Sequence, residues 1–196
     1  MKITLIILLC VILLIMGFVQ KEERILFVGD SLTAYNGGWQ HQVGRMRQIK
    51  YDNIAKGGKR TKWMLNQLKQ YSHKVGRYTK VIIYGGINDS FSSVKEDDTI
   101  ENIQKMVDIV REMGAEPIVV VGYNPQRVIQ ATSYPSEIET KSRNRYIELQ
   151  KRIVTDIKRC TIIPMENGIG RTDSDDGIHL KDSGHRKFAN WILENL

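Results

Sequence analysis

"RILFVGDSLTAYNGG", residues 24–38, is an apolar run that stops at a glycine and passes directly to an acid and a small hydroxyl residue. The first six residues, "RILFVG" (24–29), are apolar almost throughout rather than alternating, as expected of a strand buried on both faces of a parallel sheet. Ligands of such sheets gather beyond the carboxyl ends of the strands. Ser31 stands at one of those ends. It is either the cap of the next helix or a nucleophile at the sheet edge. Choosing between them requires a base, a group that orients the base, and donors for an oxyanion.

The same strand pattern recurs downstream. "DNIA" (52–55), "KVIIYGG" (80–86), "PIVVVGY" (117–123) and "CTIIPM" (160–165) read as further strands. Between them lie segments of helical period. "TKWMLNQLKQY" (61–71) carries Met64 or Leu65, Leu68 and Tyr71, and "TIENIQKMVDIVREMG" (99–114) puts Ile100, Ile103, Val107 and Val110 on one stripe and stops at Gly114. "NRYIELQKRIVTDI" (144–157) aligns Tyr146, Leu149, Ile153 and Ile157, and "DSGHRKFANWILENL" (182–196) closes the chain, with Asp182 or Ser183 as its cap. Buried strands alternating with amphipathic helices predict an α/β fold, a three-layer α/β/α sandwich on about five parallel strands.

A chain of 196 residues, 41% hydrophobic and 26% charged, without repeats or a Pro/Ser-rich linker, accommodates one such domain, residues 22–196. Residues 1–20 are of a different kind. "ITLIILLCVILLIMGFV" (3–19) is uncharged over seventeen residues and would span about 25 Å as a helix. It reads as an uncleaved membrane anchor or, if cleaved, a signal peptide; "IMGFVQ" offers no good small-x-small cleavage site. Either reading places the domain outside the cytoplasm.

Two cysteines, Cys10 in the apolar segment and Cys160 at a strand start, make no disulfide framework. The four histidines, His41, His73, His179 and His185, show no metal-ligand spacing. The net charge of +7 is concentrated between Asn53 and Asn88, where there is no acid but eight basic residues: Lys56, Lys59, Arg60, Lys62, Lys69, Lys74, Arg77 and Lys80. This stretch is either a solvated face or a positive surface for anionic carriers. Aromatic-interleaved basic motifs are lacking, so nucleic acid is not an expected partner.

Three short motifs could complete a site around Ser31. "SDDGIHL" (174–180) sets Asp176 three residues before His179, close enough for a turn to bring the carboxylate to one ring nitrogen. Asp175 competes for that role at a poorer spacing. "GGIND" (85–89) offers the Asn88 amide as an oxyanion donor, or merely closes a turn with Asp89. "NIAKGGKRT" (53–61) offers backbone N–H groups at Gly57 and Gly58, where the absent Cβ allows close approach.

Ser31 in "GDSLT", a glycine after the second strand, Asn88 in "GGIND" and His179 in "DGIHL", in that order, resemble the SGNH (GDSL) hydrolase family. The resemblance covers residues 24–196. It implies a flavodoxin-like sheet of order 2-1-3-4-5, no cofactor, and hydrolysis of carboxylic esters or thioesters, including acetyl groups on sugars. Residue by residue it implies Ser31 as nucleophile, His179 as base, Asp176 as its partner, and an oxyanion hole of the Ser31 and Gly58 amides with Asn88. Aligning Asn53 with the asparagine opening the family's second block selects Gly58, with Gly57 as the alternative. Asp30 and Asp89 are expected to brace turns.

The expected substrate is a short-chain, acetyl ester on a carbohydrate or other polar carrier, because no long apolar lid is visible. Lysophospholipase, thioesterase or acyltransferase activity, or a non-catalytic carbohydrate-binding role on the same fold, are the alternatives. The loop 122–140 either walls the cleft, with Tyr123, Arg127 and Tyr134 as candidate substrate contacts, or is an ordinary surface loop. Lys59 and Arg60 are expected on its rim, steering anionic carriers.

Overall fold

The structure, a computed structural model, describes residues 22–129 and 135–196. The expected anchor or signal segment 3–19, with Cys10, and the candidate contact Tyr134 lie outside the described residues. Among the described residues no helix is long and apolar enough to cross a membrane.

Five parallel strands form one sheet in the order β2-β1-β3-β4-β5. They are β1 (Arg24–Gly29), β2 (Lys50–Asn53), β3 (Lys80–Tyr84), β4 (Glu116–Val120) and β5 (Thr161–Ile163). β1 lies between β2 and β3, and everything from Ile25 to Gly29 is buried, as its continuous apolar pattern requires. The helices are α1 (Ser31–Ala34), α2 (Trp39–Arg47), α3 (Thr61–Tyr71), α4 (Ile87–Phe91), α5 (Glu96–Glu112), α6 (Glu137–Asp156) and α7 (Asp182–Glu194). α2 packs with α7 on one face, while α3, α5 and α6 pack side by side on the other.

Aromatic rings hold the first face to the sheet. Phe27 of β1 meets Trp39 of α2 edge-on at 5.3 Å between centroids, and Trp39 meets Phe188 of α7 at 5.4 Å. All three are fully buried, and each ring withdraws enough apolar surface to contribute on the order of 2–3 kcal/mol. The chain then leaves β1 through Gly29. A Cβ there would stand 2.6 Å from the Tyr84 carbonyl oxygen and 2.6 Å from Thr33 Oγ1, so no larger residue fits the turn that delivers Ser31.

Several details depart from the sequence expectations. The second strand is Lys50–Asn53 rather than 52–55. It is a polar edge strand whose Asp52 accepts from Arg24, Arg77 and Tyr78, so it lacks an apolar run. Helix α2 was not anticipated: its buried side includes only Trp39 and Val43 as large apolar residues, and Gly44 lies where a Cβ would meet the Tyr51 ring at 2.5 Å. Helix α6 begins at Glu137, inside the stretch read as loop, because Ser136 Oγ accepts from the Glu139 amide at 3.2 Å. In α7 neither Asp182 nor Ser183 is the cap; Lys181 holds that position without a side-chain bond, and Ser183 Oγ instead donates to Asp173 at 3.3 Å.

Candidate active site

The carboxyl ends of β1 and β3, the loop after β2 and the loop before α7 meet at one edge of the sheet. Asp30, at the end of β1, accepts from the Leu32 amide at 3.0 Å through Oδ1, and its carbonyl accepts from the Thr33 and Ala34 amides. The capping job therefore belongs to Asp30, and the Ser31 hydroxyl is not spent on it. Behind this turn the Trp39 indole N–H donates to the Leu32 carbonyl at 2.8 Å, pinning the chain one residue past the serine.

The structure brings Ser31, His179 and Asp176 into one hydrogen-bonded line. Ser31 Oγ lies 3.0 Å from His179 Nε2, and His179 Nδ1 lies 2.5 Å from Asp176 Oδ2. The other carboxylate oxygen accepts from the Ile178 amide at 2.8 Å and the His179 amide at 2.6 Å, so one residue both shapes the turn and faces the ring. Partial burial pushes the Asp176 carboxyl up. The bond from the His179 ring and the two amides outweigh it and hold the group below the usual carboxylate range. Asp175 is turned aside, paired with Lys181 at 2.8 Å.

The loop carrying His179 is fastened from below by residues given other roles, or none, in the sequence reading. Tyr123 is buried, not a substrate contact; its hydroxyl donates to the Ile178 carbonyl. The fully buried Arg143 donates to the Gly177 carbonyl at 2.7 Å and the Pro125 carbonyl at 2.8 Å, and pairs with Glu139 at 2.6 Å. One signal for Arg143 was present: it shares the helical stripe of Tyr146, Leu149 and Ile153, where a charge needs a polar task. Arg127 also leaves the cleft, donating to the Asn167 carbonyl.

On the other side of Ser31, Asn88 is half-buried and its Nδ2 donates to the Lys59 carbonyl at 3.1 Å, using one of its two amide hydrogens. A Cβ on Gly57 would stand 3.8 Å from the Ser31 Cβ. Gly58, with φ +70°, would place its Cβ in open space. Of the two, Gly57 is the one against the serine. Asp89 braces this region as expected, accepting from the Thr61 amide at 2.9 Å and Thr61 Oγ1 at 2.6 Å at the start of α3. His185 is buried, its Nδ1 accepting from the Trp39 amide at 3.3 Å. His41 is bonded to the Tyr51 hydroxyl at 2.8 Å.

Beneath the serine, Asp30 Oδ2 is buried without a partner. Burial pushes this carboxyl up to about 7; the Leu32 amide opposes the shift and nearby Asp89 adds to it. Between about pH 4 and 7 the folded state thus holds a proton that the unfolded chain has released. Stability falls as pH rises through that window and levels off above it. Asp30→Asn keeps the cap acceptor and removes the ionisation. Relative to the unsubstituted protein it is expected to gain about 3 kcal/mol between pH 5 and pH 8, read from urea unfolding at both. An identical difference at the two pH values would mean that Asp30 ionises normally.

Ser31, Leu32, Gly57, His179 and Leu180 line a cleft of about 840 Å³. The basic stretch 53–88 does not rim it; Gly57 is its sole lining residue. The Lys59 ammonium sits over the Trp63 ring, 5.8 Å from its centroid, and Arg60 and Lys62 line a separate depression with Asp98 and Glu101. Among the described residues no cluster of His, Cys, Asp or Glu is arranged to hold a metal ion.

The sequence matches the GDSL-like lipase/acylhydrolase family over residues 27–187. No curated protein matches it. Solved structures share the fold at low identity. An acetylxylan esterase from Geobacillus stearothermophilus, solved as a catalytic mutant, superposes with a TM-score of 0.68 at 15% identity, over 88% of this chain and 93% of that one. A member of the lipolytic G-D-S-L family from Veillonella parvula gives 0.66 at 15% identity, over 88% and 97%. A GDSL-like lipase from Bacteroides thetaiotaomicron gives 0.62 at 18% identity, over 90% and 88%.

Proposed function

Because the chain belongs to the GDSL-like lipase/acylhydrolase family, whose members hydrolyse esters, we propose that it is a serine esterase acting through Ser31, His179 and Asp176. The observation that carries this reading is the unbroken line from Ser31 Oγ to His179 to Asp176. His179 Nε2 accepts the Ser31 proton as Oγ bonds to the acyl carbon. Asp176 holds the ring in the tautomer that leaves Nε2 free and stabilises the imidazolium. The negative oxygen of the tetrahedral intermediate is met by the Ser31 amide, the Asn88 side chain and an amide of the Gly57–Gly58 pair; aligning Asn53 with the second block of the family pattern favours Gly58, and nearness to the serine favours Gly57. The imidazolium proton passes to the leaving alkoxide as the carbon–oxygen bond breaks. Water, deprotonated by His179, then releases the acid and restores Ser31.

Asn88→Ala is expected to lower kcat about 100-fold, on the order of 3 kcal/mol of transition-state stabilisation, with little change in KM. The ground-state carbonyl carries less charge than the oxyanion, so binding is nearly spared. A normal kcat would reduce Asn88 to a tie on the Lys59 carbonyl.

The substrate class we propose is an acetyl or similarly short acyl ester on a carbohydrate. The absence of an apolar lid from the sequence supports it, as does the shared fold of an acetylxylan esterase. A panel of p-nitrophenyl esters from acetyl to octanoyl tests the acyl part. The expected order of kcat/KM falls with chain length, and a preference for octanoyl would refute the short-acyl assignment.

A further inference from the structure

The Ser31 cleft does not end at His179. It shares Tyr35 and Asp182 with a second basin of about 690 Å³ between α2 and α7. Tyr35 forms the sill between the two. Its ring lies flat on that of His185, with 5.2 Å between centroids and 3° between planes, yet Tyr35 remains 55% exposed. His185 is in turn fixed by the Trp39 amide. An exposed aromatic face on a rigid backing is suited to the apolar face of a sugar ring, and costs little entropy to organise.

Beyond this sill the lining changes character. Arg45 of α2 and Arg186 of α7 face the basin from its two walls. Both are exposed, and neither has an ion pair among the described residues. Asn36, His41, Gln42 and Asp182 complete the polar lining. Asp182 balances one of the two arginines and, as an acceptor, suits a hydroxyl better than an anion. Two guanidinium groups against one carboxylate leave the lining net positive, which favours an anionic group such as a carboxylate or phosphate.

We propose that this basin is a carrier subsite that takes an acidic sugar ring of an oligosaccharide ester, stacked on Tyr35 and paired through its carboxylate with Arg45 and Arg186. The inference rests on the esterase reading and deepens it. The acyl group occupies the Ser31 cleft while the carrier runs over the sill. It also moves the seat of anion recognition from Lys59 and Arg60, which lie elsewhere, to α2 and α7.

The test compares kcat/KM of the full-length chain on a partly acetylated galacturonic acid oligomer and on a partly acetylated neutral xylo-oligosaccharide. In the Arg45→Glu/Arg186→Glu double variant the acidic-to-neutral ratio is expected to fall about tenfold, and in the double lysine variant to stay within about twofold. Added salt should lower the ratio in the unsubstituted enzyme. Binding of an unacetylated galacturonic acid oligomer, followed by calorimetry, should weaken in parallel. An unchanged ratio, an equal loss on both carriers, or a preference for anionic phospholipid vesicles over the acidic oligomer would overturn the subsite. Absence of p-nitrophenyl acetate hydrolysis would refute the esterase reading instead, and the calorimetric arm would still decide whether the arginines bind the acidic oligomer.

Discussion

Ser31→Ala is expected to lower kcat by about 10^4-fold or more and to abolish covalent labelling by a fluorophosphonate at this position. The size follows from the arrangement. With Oγ gone, His179 Nε2 has no nucleophile at 3.0 Å to deprotonate, and only the oxyanion donors and substrate binding remain to assist water. Folding should be unaffected, because the cap of α1 is made by Asp30 and not by Ser31. A melting temperature within a few degrees of the unsubstituted protein, with labelling and turnover both lost, is the expected combination. Labelling at another residue, with turnover retained, would remove Ser31 from the mechanism.

The second large effect is expected at Asp176. In Asp176→Asn the two backbone amides of Ile178 and His179 retain the side-chain oxygen, which forces the new NH2 toward His179 Nδ1. The ring must then accept at Nδ1 and carry its proton on Nε2, where it can no longer take one from Ser31. A buried pair of this kind loses about 10^4-fold in kcat. Here the His179 and Asp176 side chains are 49% and 52% exposed, so water can partly replace the lost orientation. About 10^3-fold is the expected loss, with KM and thermal stability little changed. A loss below about tenfold would show that Asp176 shapes the loop but does not set the tautomer.

The parts of the fold that were legible in sequence are those where pattern and burial agree. β1 and α3 match the expected bounds, and the sheet order matches the one implied by the family resemblance. Where a segment's character comes from a partner, the pattern was silent. α2 is held by one tryptophan, one valine and a glycine pressed on Tyr51, too few apolar positions to display a period. The start of α6 was written in "SEIE" (136–139), an N-cap serine followed by glutamate, but the polar residues around it masked the signal.

The candidate site divides in the same way. Ser31, Asp176 and His179 were legible because each sits in a short motif, "GDSLT" or "SDDGIHL", and Asp30 and Asp89 because acids beside strand ends brace turns. Tyr123 and Arg143 could not be assigned their tasks, since both act on carbonyl groups of a loop more than thirty residues away. The misplacement of Lys59 and Arg60 has a simple cause. Adjacency to Gly58 in the chain says nothing of where the next side chains face: Lys59 turns to the Trp63 ring, and Arg60 to the depression it shares with Asp98 and Glu101.

Ser31 and His179 are 148 residues apart in sequence, and their contact joins the first strand's end to the loop before the last helix. Closing so long a loop is entropically expensive, and such contacts form late because little compensates them until the intervening sheet is in place. A collapsed chain that has its helices but has not docked α7 possesses no base for its serine. Hydrolysis is therefore a report on the final long-range closure, and recovery of activity during refolding trails recovery of helical circular dichroism. An incompletely assembled chain is silent as a catalyst, which keeps a reactive serine hydroxyl unactivated until the whole domain stands behind it.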